Sequence, residues 1–424
     1  MREKFLEGPY RWELLFLILM MLVMPFWETP KTLFFVAYVG VWLFNRFQSG
    51  DWAPAWNVWD TVIAVWIGAA MTISVASVWR GMPWKGLLDI LRYTLLFWLV
   101  MRSRFSEKTT INIVCAAVIG TLIALLEGYY RLFVSHTFSR LQLPAVGHVN
   151  HSAIYMVLIF IVLLSFTLAY WRSWSLTRRA GCVLMLGVLI QSLMITESRA
   201  AVGILVFLWV IWGLLWLIRD RWCGIAVLAV MVLACGAVWL SHPHLIWKVK
   251  FRQQEFAHQV PFRTRVHNGA ILAWRQHPVL GFGYQNYHFI TYDHLKAWSL
   301  QRYGYYDPEQ YVLQVKNKIG EPGHGHSLFY NTLVEGGLVG FGALLVFLIA
   351  WVFSLYRYRP SLADPDLYWA LWASSLGVFL TNVGIGLANT TFHHQQALLS
   401  MAVLGLSLSY FQASFSLRER VSRS

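Results

Sequence analysis

From Glu321 to Gly340 the chain reads Glu321-Pro-Gly-His-Gly-His-Ser-Leu-Phe-Tyr-Asn-Thr-Leu-Val-Glu335-Gly-Gly-Leu-Val-Gly340, closing its only long polar stretch. Imidazole exchanges protons near neutral pH, and glycine lets backbone approach a neighbour or a ligand closely. His324 and His326 are therefore candidates for proton transfer or ligand contact. Counting at helical spacing from His326 puts Glu335, Gly337 and Gly340 on a related face, with Glu335 two to three turns on. From there Glu335 would orient or charge-balance a site, or else cap a helix contact.

Upstream lies Arg263-Thr-Arg265-Val-His-Asn-Gly-Ala-Ile-Leu-Ala-Trp274-Arg-Gln-His-Pro278-Val-Leu-Gly281-Phe-Gly283-Tyr. Arginine offers a planar fork of donors that grips two phosphate oxygens at once, where lysine offers a point charge. Arg263 and Arg265 are candidates for that grip, against a solvated-surface reading of Arg265. Trp274, Pro278, Gly281 and Gly283 read as the parts of a helix and a tight turn, although Trp274 and the aromatics Tyr284, Tyr287, Tyr305 and Tyr306 also offer faces to a sugar. Thr196-Glu-Ser-Arg199-Ala-Ala-Val-Gly203 puts charge at membrane depth, which marks either a ligand contact by Arg199 or a Glu197–Arg199 pair. In Gly147-His-Val-Asn150-His151, Asn150 and His151 would hydrogen-bond sugar hydroxyls or cap a helix start.

Metal and cofactor chemistry find little footing. Asp364-Pro-Asp366 falls on the opposite side from these residues, Asp307-Pro-Glu309 is an isolated loop pair, and His393-His394 has no third ligand at useful spacing. The four cysteines lie within apolar stretches and form no zinc or disulfide pattern. No metal and no cofactor is expected.

The elements positioning these residues are membrane spans. Hydrophobic residues make up 58% of 424 positions, and apolar runs of about twenty recur as bilayer-crossing helices require. Twelve spans are expected, near 12–27, 31–47, 59–79, 86–101, 109–127, 151–171, 180–196, 200–218, 222–240, 331–356, 366–386 and 395–414. The first is too long, and too closely followed by the second, for a cleaved signal peptide. Arg and Lys gather in alternate short connections (Arg46; Arg102, Arg104 and Lys108; Arg172, Arg178 and Arg179; Arg219 and Arg221; Arg357 and Arg359), so these and both termini are expected in the cytoplasm. Most of the formal net charge of +14 is thus topology rather than a nucleic-acid footprint.

The expected fold class is an all-α polytopic membrane protein of about twelve transmembrane helices with one large, mainly helical periplasmic loop between spans nine and ten. Residues 1–240 would hold the first nine spans, 241–326 the loop or cap, and 327–424 the last three spans and a cytoplasmic tail. Within the cap, Lys248, Lys250, Arg252, Arg263, Arg265, Arg275, Arg302, Lys316 and Lys318 outnumber the acids. Such a surface suits an anionic lipid or a pyrophosphate.

With this topology, Ser198-Arg199 before small residues, Arg265 with Trp274, Pro278 and Gly281-Phe-Gly283, and His326-Ser with Glu335-Gly-Gly337 and Gly340 resemble the O-antigen ligase family within the ligase/polymerase superfamily. The resemblance spans about half the chain, from span six to span ten. It implies a membrane-embedded glycosyltransferase of GT-C-like architecture, working without metal or nucleotide in the inner membrane of a bacterium. It further implies transfer of preassembled O-antigen from an undecaprenyl-pyrophosphate-linked donor to a lipid A–core oligosaccharide acceptor at the periplasmic face. On this sequence Arg199 and Arg265 would contact the pyrophosphate and His326 would assist the acceptor. Ser327 departs from the asparagine of many relatives.

In such a transfer the acceptor hydroxyl attacks the anomeric carbon and pyrophosphate leaves. The arginines would stabilise the charge growing on the leaving group, and His326, with a pKa near the working pH, would take the hydroxyl proton. With no carboxylate pair or activated nucleophile beside the histidine, a single inverting displacement is expected. Three rivals stay open on sequence: an O-antigen polymerase, a protein O-oligosaccharyltransferase, and a lipid-linked sugar transporter.

Overall fold

The computed structural model describes residues 10–50, 52, 56–77, 83–241, 262–307 and 324–423. Lys248, Lys250, Arg252, Glu309, Lys316, Lys318 and Glu321 lie outside the described residues, as does the first part of the expected cap. Fourteen α-helices and no strand occur among the described residues: α1 Tyr10–Val23, α2 Glu28–Ser49, α3 Val58–Val75, α4 Pro83–Arg102, α5 Glu107–Phe133, α6 Val149–Ala169, α7 Leu176–Thr196, α8 Arg199–Arg219, α9 Arg221–Ser241, α10 Phe262–Trp274, α11 Tyr292–Tyr303, α12 Leu328–Arg357, α13 Asp366–Gly386 and α14 His394–Arg423. Eight of them, α3, α5 to α8 and α12 to α14, are long and apolar enough to cross a membrane. The chain is an all-helical, polytopic membrane protein.

α6 is apolar all round, and its whole membrane-length window is buried, so it forms the centre of the bundle. It packs against α13, α7, α8, α14 and α5. Lipid gives no hydrophobic drive between helices, so close approach and interhelical hydrogen bonds must hold them. A side chain at Gly377 of α13 would overlap Ile161 of α6, and one at Gly120 of α5 would overlap the backbone of Leu22. Four indole N–H groups donate to serine hydroxyls on neighbouring elements: Trp212 to Ser165 (2.9 Å), Trp351 to Ser375 (2.9 Å), Trp59 to Ser354 (3.1 Å) and Trp42 to Ser103 (3.1 Å). These bonds tie together six different helices and the α4–α5 connection.

The cap is built around a break in α12. Gly337 has φ 57° and ψ −157°, a conformation essentially confined to glycine, and it interrupts the helix after its third turn. Such a kink strands the carbonyls of Val334 and Glu335 and the amides of Leu338 and Val339, which an unbroken helix would pair with each other. The segment Pro278–Gly283 satisfies all four. Phe282 N–H donates to Val334 O (3.0 Å) and Gly283 N–H to Glu335 O (2.8 Å), while Leu338 N–H donates to Pro278 O (2.9 Å) and Val339 N–H to Val279 O (3.1 Å). Contact is so close that a Cβ at Gly337 would overlap the Val279 carbonyl, and one at Gly281 the Glu335 backbone.

Around this clasp the cap has a small core of its own, in which Ala270, Leu272 and Ala273 of α10 meet Phe282, Tyr287, Ile290, Leu295 and Val334. Trp274 supports it by donating its indole N–H to Pro278 O at 3.1 Å. Tyr284 lies in the notch left by Gly336 and Gly340. The helix expected between Arg265 and Gln276 is present as α10, with the chain turning at His277 and Pro278.

Gly337→Ala should therefore cost well over 2 kcal/mol, combining a strained backbone with overlap of a hydrogen-bonded carbonyl. Gly342→Ala, on the same helix with nothing within 4 Å of its Cβ, should be neutral or stabilise by up to about 1 kcal/mol. Thermal unfolding of both variants in detergent checks the contrast; equal midpoints would refute the clasp.

Candidate functional site

The clasp fixes where the two motifs meet. α10 packs on α12, and positions 263 and 267, one helical turn apart, share a face. His267 stacks on Tyr330 of α12 with ring centroids 4.4 Å apart, and Arg263 lies near enough to act electrostatically on both His267 and His326. Arg265 is on another face of the same helix. It is only 6% exposed, and its Nε has no hydrogen-bond partner. No carboxylate pairs with it among the described residues.

His326 is not in helical register with Glu335, contrary to the spacing argument. Its φ is 45°, left-handed, and Ser327 caps α12 by accepting from Phe329 N–H at 3.3 Å, so the helix begins only after it. Ser327 also donates to Gly386 O at 2.9 Å, fastening the start of α12 to the end of α13. His326 N–H donates to Nδ1 of His324 (3.2 Å), with the rings 4.0 Å apart, and Gly325 N–H donates to Oδ1 of Asn331 (3.3 Å). Two imidazoles are thus held by backbone bonds rather than left at a loop tip.

Glu335 is 9% exposed, and its Oε1 accepts from Tyr287 N–H at 3.3 Å. The carboxylate serves the cap's backbone beside the clasp, where its own main-chain carbonyl is also engaged. Tyr287 is buried in this packing, which removes the stacking role considered for it, whereas Tyr284, also buried, lines the cavity beside the cap; Tyr305 is exposed.

A third group comes from α6 and the start of α14. His148, not Asn150, supplies the helix cap, its Nδ1 accepting from Asn150 N–H at 3.2 Å. His151 stacks on His393 (centroids 5.2 Å apart, planes at 22°) and is held by Gln396 of α14, whose amide donates to the His151 carbonyl at 2.8 Å. His148, His324 and His326 act on one another electrostatically, as do His324 and His393. His393, set aside in the sequence as half of a poor metal pair, and His267 thus join the site. The signal available was the recurrence of histidine at the starts of three separate helices, α6, α12 and α14.

Arg199 opens α8 and is exposed. Glu197 pairs with Arg140 at 3.5 Å rather than with Arg199. α8 packs on α13, with Ile204 against Gly384, two residues from the Gly386 carbonyl that holds Ser327. Arg199 therefore stands at the same end of the bundle as His326, although no contact joins them. A cavity beside the cap is lined by Asp89, Tyr93, Gln285, Asn331, Glu335 and His393 among others.

Burial pushes the pKa of His326 down to about 3, helped by His324, Arg263, His148 and His267. Burial and the neighbouring His394 hold His393 near 3 as well, and burial also lowers His324. These imidazoles are neutral at working pH. A pKa of about 3 also makes His326 a weak base, not one poised near neutrality.

Residues 183–345 match the family described as O-antigen ligase. The resemblance seen in the motifs holds over this stretch. It takes in most of α7, α8 to α11 and the kinked first half of α12, and with them Arg199, Arg263, Arg265, Trp274, His324, His326 and Glu335. Asn150, His151 and His393 lie outside the O-antigen ligase match. No curated protein sequence matches the chain significantly.

The neutral histidines carry a linkage consequence. Unfolded imidazoles take up protons as pH falls through about 6.5, whereas folded His326 and His393 do so only near 3. Folding stability is therefore full above pH 6.5 and falls on acidification toward pH 3, by at most about 1.4 kcal/mol per pH unit for each histidine. Melting temperatures between pH 7 and pH 4 should drop less steeply for His326→Gln than for the unaltered protein; parallel curves would overturn this.

Proposed function

We propose that the protein is an O-antigen ligase, moving preassembled O-antigen from undecaprenyl pyrophosphate to lipid A–core oligosaccharide at the periplasmic face of the inner membrane. One observation carries the reading: within the family-matched stretch, the backbone clasp joins a helix bearing Arg263 and a buried Arg265 without an acid partner to a helix opened by a neutral imidazole. In this reading α1, α2, α4 and α9 complete twelve spans in a GT-C-like arrangement. Residues 241–326 form the periplasmic cap between spans nine and ten, with 1–240 and 327–424 as the membrane parts on either side.

The acceptor hydroxyl attacks the anomeric carbon, the bond from that carbon to the pyrophosphate oxygen breaks, and the leaving group departs with the electron pair. Arg265, Arg263 and Arg199 stabilise its growing charge more than they stabilise the ground state. His326 takes the hydroxyl proton. The pyrophosphate itself solves the problem of its low basicity, because an anion placed beside Arg263 and the neutral imidazoles of His324 and His267 offsets the guanidinium charge and draws the His326 pKa up toward working pH. Proton acceptance is thereby coupled to donor binding. Asn150, His151, Glu335 and the adjoining cavity supply hydrogen bonds for sugar hydroxyls, with Trp274 supporting them from the cap, and the displacement inverts the anomeric centre. No step in this scheme calls on a metal.

Purified protein reconstituted with lipid-linked polysaccharide donor and lipid A–core acceptor tests the proposal. His326→Ala should lower transfer by about 10²–10⁴-fold with the thermal midpoint retained. Arg265→Lys should remain far below the unaltered enzyme, since a point charge does not replace the fork. Normal transfer by both variants would remove these residues from the site, and elongation of the lipid-linked donor without product on lipid A–core would make the protein a polymerase instead.

A further inference from the structure

At the opposite end of the bundle the structure holds a second cationic pocket that the transfer reaction does not use. α4 touches the cap at Gly86, where a Cβ would overlap Tyr284, and runs sixteen residues, about 24 Å, to Arg102. There Tyr10 and Glu13 of α1, Arg46 of α2, Arg102 and Arg104, and Ser106 at the start of α5 line a pocket. By the positive-inside count this end faces the cytoplasm.

Arg46 is 6% exposed, and its guanidinium lies over the rings of Trp42 (4.8 Å) and Tyr10 (5.4 Å). Its Nε is buried with no hydrogen-bond partner, and no carboxylate lies within ion-pair distance of it among the described residues. Glu13, on the same pocket wall, has its Oε1 taken by the Asn45 amide at 2.6 Å. Arg102 differs from Arg46, being held by Asp60 at 2.6 Å. Arg104 is exposed at the pocket, and Ser106 caps α5 by accepting from Thr109 N–H at 3.1 Å, so the positive end of that helix opens there too. Even with Glu13 counted against it, the pocket keeps a positive excess from Arg46, Arg104 and the helix end.

We propose that this pocket binds a phosphate oxyanion, from either the headgroup of an anionic phospholipid in the cytoplasmic leaflet or a soluble phosphate. The two stacked rings fix the Arg46 plane while leaving its edge to the ligand, and Arg104 closes the mouth as a second, adjustable cation.

Full-length protein in nanodiscs of phosphatidylcholine with or without phosphatidylglycerol, followed by native mass spectrometry and thermal unfolding, tests it. The unaltered protein should retain one phosphatidylglycerol at least about tenfold over phosphatidylcholine, and Arg46→Gln should lose that preference. Arg104→Glu, an exposed change that leaves the core intact, should lose it as well, so the test survives if Arg46→Gln fails to fold. Arg265→Ala should keep the preference. If phosphatidylglycerol is not retained but inorganic phosphate raises the melting point of the unaltered protein and not of the two pocket variants, the ligand is a soluble anion and the site stands. Equal retention and equal melting shifts in the unaltered protein and both pocket variants would overturn the proposal, as would loss of the preference in Arg265→Ala alone.

Discussion

The break in α12 at Gly337 is the constraint on which the rest depends. A helix interrupted near a membrane leaves amides and carbonyls that lipid cannot satisfy, each costing several kcal/mol if left bare. The chain meets this cost with Pro278–Gly283, which replaces both lost helical bonds with four of its own. Everything in the cap follows from that exchange. Trp274 buttresses the Pro278 carbonyl, Glu335 draws in the Tyr287 amide, and Tyr284 drops into the Gly336 and Gly340 notch. Because the clasp is made of backbone, it holds α10 at a fixed distance from the start of α12, where His324 and His326 lie.

Electrostatics sets the protonation of the histidines at the cap. Burial keeps His324, His326 and His393 neutral, and at His326 the charge of Arg263 opposes a proton a second time. An anion removes one of those oppositions. In the proposed reaction, a site built this way would hold His326 in reserve as a base until negative charge arrives.

How much of this could be read from residues alone depended on the kind of information each feature carries. Apolar runs of span length marked the eight helices that are long and apolar enough to cross a membrane, because bilayer thickness dictates them, and the three motifs stood out by the cost of charge and glycine at membrane depth. Their glycines read correctly as sites of close approach, but the partner of each approach was invisible: nothing local says that Gly281 faces Glu335 or that Gly337 faces Val279. Helical spacing misled at His326, since a left-handed residue and a serine cap reset the register before α12 begins. His393 was missed because its neighbour His151 lies on another helix, and only the packing of α6 on α14 brings their rings together.

Buried arginines divide this protein into two kinds of place. Arg102, and the half-buried Arg219, each have an aspartate, Asp60 and Asp366, and so act as ties between elements whose charges cancel. Among the described residues Arg265 and Arg46 have no carboxylate; each leaves a buried Nε without an acceptor, as Arg102 does, but without an aspartate to offset its charge. Desolvating a guanidinium without compensation is expensive, and a stability role would be served better by an apolar residue of the same volume. Placing one such arginine at each end of a membrane bundle makes sense if the missing acceptor comes from outside the chain. At the cap end it would arrive with the sugar donor, and at the other it would be a phosphate that stays while donors come and go.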